Sequence, residues 1–104
     1  MIIIHDDKGN EYQLEFNRKT VAAMENNGFR LNFDTPNVMV DSLFYGALQM
    51  HHKRLDHEQA RKIWAVQSGK EGLLTALVKA YQKPLEDLMA EPEGEEANPT
   101  WREA

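Results

Sequence analysis

Apolar and polar residues alternate from Tyr12 to Phe16, with Tyr12, Leu14 and Phe16 on one side and Gln13 and Glu15 on the other. That period of two is the mark of a half-buried strand. Ahead of it, Ile2, Ile3 and Ile4 are β-branched, and Asp7-Lys8-Gly9-Asn10 is turn chemistry in which Gly9 is free to take a positive φ. The two segments predict a β-hairpin over residues 1–16. A lone hairpin is marginal in water, so this one must pack on the body or pair with another chain.

From residue 17 the period changes. Asn17 caps a short helix, Arg18 to Asn27, which Asn27-Gly28 stops. Phe29 to Phe33 alternates again and reads as an extended segment lying on the core rather than as a third strand. A long helix starts near Asp34, Thr35 or Pro36, since proline suits a first turn. Val40, Leu43, Phe44, Ala47 and Leu48 form its apolar stripe, with His51 as an extension. Met39, Tyr45 and Met50 lie partly off that stripe and predict a second, sticky face. Gly46 costs about 1 kcal/mol against Ala inside a helix, which points to a neighbour packed closely there. Asp56 and Gln59 have the spacing of a capping box for a third helix over 57–67, with Ala60, Ile63, Trp64 and Gln67 inward. Ser68-Gly69 ends it. A fourth helix covers 70–90, with Leu73, Leu74, Leu77, Val78, Tyr81, Leu85, Leu88 and Met89 on one side. Pro84 predicts a kink, or a break that frees 85–90. The reading is therefore α+β and mainly α-helical: a hairpin, about four helices, and an acidic tail over 91–104 that cannot offset its ordering entropy. Residues 1–90 form the single compact domain.

Length and charge sharpen this picture. With 104 residues there is room for one modest core. The body holds 11 Lys and Arg against 12 Asp and Glu, whereas residues 91–104 hold five Glu against Arg102 alone. An acidic chain without a basic stripe gains nothing from counterion release, which argues against nucleic acid. No apolar run nears the ~20 residues that span a bilayer, and Met1 to Asp7 has no basic leader, so the expectation is a soluble protein without an export address. There are no cysteines, hence no disulfide framework, thiolate metal site or cysteine nucleophile.

Candidate chemistry is sparse. His51, His52 and His57 stand near an interhelix corner without a metal-ligand pattern, and such histidines more often cap or face solvent. Asp6 and Asp7 could act as an acid–base pair but sit where a turn favours Asp for backbone reasons. Gly69-Lys70-Glu71-Gly72 opens a helix and could seat an anion. Neither an enzyme nor a bound cofactor is expected. The remaining signals belong to protein binding. Met24, Met39, Met50 and Met89 are either pliable core or an adaptable surface. The face from Leu73 to Met89 is either core or a partner groove. Trp101 either docks on the body or anchors a partner.

The order of these features resembles the small tail assembly chaperones of siphophages and prophages of Gram-positive bacteria. Phe16-Asn17-Arg18-Lys19-Thr20 and Phe44-Tyr45-Gly46-Ala47-Leu48 carry the resemblance most specifically. Gly69-Lys70-Glu71-Gly72-Leu73-Leu74, Tyr81, Pro84-Leu85 and a Trp near the end extend it over nearly the whole chain. The resemblance implies a protein that binds the tape measure protein in the host cytoplasm, keeps it soluble, helps recruit tail tube protein, and leaves before the virion is complete. It also implies that the chain is the short form of a pair made by frameshifting. On this reading Tyr45, Met50, Leu85, Leu88 and Met89 form part of the client face, Trp101 is a second anchor, and self-association is a further expectation. Two alternatives stand beside it: another phage structural or scaffold-like interaction protein, and a small anion-binding regulatory domain.

Overall fold

Strand β1 (Ile2–His5) pairs antiparallel with β2 (Glu11–Leu14), Ile2 opposite Leu14 and Ile4 opposite Tyr12. The turn between them is built on Asp6. Its carboxylate accepts from the backbone N–H of Lys8 and of Asn10, both at 2.9 Å, from the Asn10 side-chain amide at 3.0 Å and from the Tyr12 hydroxyl at 3.1 Å. Led by the Asn10 amide, these donors outweigh the opposing desolvation and hold the Asp6 carboxyl at about 2, below its ordinary 3.8. Gly9 takes the expected positive φ of 82°. Asp6 is thus an ionised acceptor at neutral pH that fixes the turn.

The computed structural model describes residues 1–91 and 100–103. Its helices are α1 (Arg18–Asn26), α2 (Pro36–Gln49), α3 (His57–Ala65) and α4 (Lys70–Met89). Asn17 caps α1 by accepting from the Thr20 N–H at 2.8 Å, and Gly28 follows it at φ 92°. The Asp56–Gln59 capping box of α3 is complete in both directions, at 2.8 and 2.9 Å. Lys70 reaches back to the carbonyls of Gln67 and Ala65, at 2.6 and 3.1 Å, closing the C-terminal end of α3.

Helix α2 is the centre of the body. Leu43, Phe44, Ala47 and Leu48 are buried with Ile4, Leu14 and Phe16 of the hairpin region, Ala60 and Ile63 of α3, and Leu77 and Tyr81 of α4. Phe16 and Phe29 both meet the Tyr81 ring edge-on, and Phe44 meets Trp64. The hairpin closes on its own body. The Glu15 N–H donates to the Ala47 carbonyl at 3.0 Å, the Gln13 N–H to His52 Nε2 at 3.0 Å, and the Gln67 side chain to the His5 carbonyl at 2.7 Å.

Several expectations change. Met39 is buried rather than part of an exposed face, and His51 is exposed rather than an extension of the stripe. α3 stops at Ala65, two residues short. Residues 29–33, as expected, form no strand, and Phe29 and Leu31 lean on the core while Phe33 is exposed. Pro84 does not break α4, which runs through it as one helix of 20 residues. Its ring is buried, so the apolar contact offsets part of the lost hydrogen bond. The predicted tail falls largely on 92–99 and Ala104, outside the described residues. Glu91 and Thr100 to Glu103 are exposed and belong to neither a helix nor a strand.

Candidate functional site

Two apolar surfaces are left open, and the predicted binding residues divide between them. The first is a groove of about 990 Å³ between α1 and α2. Gly46 lies in its wall. A Cβ at that position would lie 2.6 Å from both Sδ and Cε of Met24, so the glycine lets α1 lay its methionine directly on the backbone of α2. Tyr45 and Met50 line the groove beside Met24, Val38 and the buried Met39. The His57 ring stacks on Tyr45, with centroids 3.7 Å apart and planes inclined by 20°. The rim carries Lys19, Arg30 and Lys53, and no carboxylate is among the described residues that line it.

The second surface is the last turn and a half of α4. Leu85 is 59% exposed, Leu88 52% and Met89 72%. They continue the stripe that is buried at Leu77, Tyr81 and Pro84, past the point where the body stops covering it. Asn17 and Lys19 lie between the two surfaces, lining both the groove and a shallow depression against Pro84 and Asp87. Trp101 touches neither surface closely enough to be covered and is 69% exposed.

A family model for a domain of unknown function, DUF5055, matches residues 1–103. The chain belongs to the DUF5055 family. No curated protein and no solved structure matches it significantly.

The histidine corner of this DUF5055 chain is spent on holding the hairpin. His51 Nε2 lies 2.8 Å from a Glu15 oxygen, and His52 meets the Tyr12 ring edge-on while accepting from Gln13. Among the described residues no group of three or more His, Cys, Asp or Glu is placed to hold a metal ion. At Gly69–Gly72, the candidate anion seat, Lys70 is committed to the end of α3. On α3 itself, Arg61 is engaged with Asp41 at 3.0 and 3.3 Å and Lys62 with Glu58. None of the described helices is long and apolar enough to cross a membrane.

One consequence can be measured. Burial, with a smaller contribution from His51, pushes the His52 pKa below its ordinary 6.5. The unfolded chain therefore binds that proton more readily than the folded one. The stability contributed by neutral His52 is complete above pH 6.5 and lost as pH falls through the lowered folded value. Protonation also removes the acceptor for the Gln13 N–H. We expect urea midpoints to drop across this mildly acidic window, and His52→Gln to flatten that part of the profile. An unchanged profile in the variant would remove His52 from the account.

Proposed function

We propose that this DUF5055 protein is a tail assembly chaperone that binds a tape measure protein, keeps it soluble, and helps gather tail tube subunits around it in the host cytoplasm without entering the virion. The observation that carries the reading is the uncovered apolar end of α4, Leu85, Leu88 and Met89 on a helix whose earlier turns are core. Three large apolar side chains on one exposed helix end have a use when they cover apolar surface on another protein. A long helical client with apolar stripes aggregates when bare. Many copies, each gripping it weakly through such a ridge, would coat it by avidity without tight single contacts. The Phe-Asn-Arg-Lys-Thr and Phe-Tyr-Gly-Ala-Leu stretches support the same reading by resemblance.

The test is co-expression with a tape measure protein encoded beside this chain, followed by sedimentation and pull-down. The client is expected in the supernatant with many copies bound. With Leu85→Ser and Leu88→Ser together it should pellet, while the unfolding free energy of the variant stays within about 1 kcal/mol of the parent, about 0.5 kcal/mol for each exposed position. Full client solubility with the double variant would remove α4 from the client face.

A further inference from the structure

We propose that the groove between α1 and α2 receives the acidic, Trp101-bearing C-terminal segment of a second copy of this chain. Three observations meet here. The groove is cationic in an acidic protein: Lys19, Arg30 and Lys53 stand on its rim and no described lining residue is acidic, although the whole chain carries a net charge of −5. Its floor is Met24, Tyr45 and Met50, two polarizable thioethers and a ring, surfaces on which an indole packs well. Residues 91–104 supply the complement, five Glu against one Arg with a single large apolar group, Trp101.

The dimensions agree. The groove follows α2 from Thr35 to Met50, and the 14 residues of that helix span about 21 Å at 1.5 Å each. Glu95 to Trp101 covers roughly 23–25 Å when extended. That stretch can seat Trp101 on the methionines and still bring carboxylates to the rim. The partner is a second copy because Trp101 is 69% exposed in its own chain. The contact is heterologous, tail into groove, so it leaves one groove and one tail free at the ends and can repeat from copy to copy. It does not depend on the α4 ridge or on the client.

Sedimentation velocity of the full chain over a wide concentration range tests this directly. We expect reversible association that weakens with added salt, as rim charges require. Trp101→Ala, or Lys19→Glu with Lys53→Glu, should weaken it by about tenfold or more. The decisive arm is a charge swap. One variant carries Lys19→Glu and Lys53→Glu, and another carries Glu93→Lys, Glu95→Lys and Glu96→Lys. Each alone should sediment as a monomer, and the mixture should associate again. A parent chain that stays monomeric throughout overturns the proposal. So does a monomer whose Trp101 emission is shielded, which would place the segment in its own groove. A mixture that stays monomeric overturns it as well.

Discussion

Leu77→Ala is expected to lower the unfolding free energy by about 2–5 kcal/mol, read as a shift of the urea midpoint at constant slope. Leu77 is completely buried and belongs to the same cluster as Leu14, Leu43 and Phe44, so its removal opens a cavity where hairpin, α2 and α4 meet. A domain of this kind has about 5–15 kcal/mol in total, so the loss is a large share of its stability. The value of the experiment lies in its contrast with Leu85 and Leu88. All three leucines lie on α4 and share its apolar stripe, but Leu85 and Leu88 have no core over them. A large loss for Leu77→Ala beside near-neutral serine replacements further along would show that α4 changes role at Pro84, from wall of the core to exposed ridge. Equal losses would mean that the ridge is core after all.

Periodicity alone does not show where that change of role falls, although Leu85, Leu88 and Met89 were expected on a binding face, and the reason is physical. Helical periodicity reports which residues share a side and says nothing of where the body beneath that side ends. The stripe from Leu73 to Met89 is continuous, and the edge of the core appears once α1 and the hairpin are placed. Pro84 suggested a kink or a break, and the break does not occur: a buried ring within a helix already packed on its neighbours tolerates the missing N–H. The burial of Met39 has a related cause. A stripe argument assumes one neighbour, whereas α2 is contacted by β2, α3 and α4 and buries Met39, Leu43, Phe44, Gly46, Ala47 and Leu48 around most of its circumference.

Local chemistry was far easier to read. The Asp7–Asn10 turn, the Asn17 cap, the Asp56–Gln59 box and the stop at Gly28 depend on residues a few positions apart, and each is where the sequence put it. Gly46 was an informative hint, because a glycine inside a helix asks for a close neighbour, and Met24 is that neighbour. The cationic rim of the groove was missed. Lys19, Arg30 and Lys53 are far apart in sequence, and only the fold gathers them. Tyr45 and Met50 do not share a face with Leu85, Leu88 and Met89: they line the groove while the latter three form the ridge.

Leu14→Ala should have an effect as large as Leu77→Ala, about 2–5 kcal/mol, and its pattern decides how the hairpin relates to the helices. Leu14 is fully buried, opposite Ile2, on the strand whose continuation donates from Glu15 to Ala47 in the last turn of α2. Two strands of four residues hold little stability of their own, so the hairpin's order comes from this docking. The docking works in both directions, because Ile4, Leu14 and Phe16 cover α2 residues that would otherwise face water. Amide exchange separates the alternatives. If the hairpin and helices fold as one unit, Leu14→Ala speeds exchange across α2 and α4 as much as within Ile2–Leu14. If the hairpin opens alone, exchange quickens in the strands and at Gln13 and Glu15 while the core amides of Leu43 to Leu48 keep their protection. We expect the first result. The four α2 residues that Leu14 helps cover are the innermost part of the fold, and exposing them to open the hairpin would cost nearly as much as unfolding the domain.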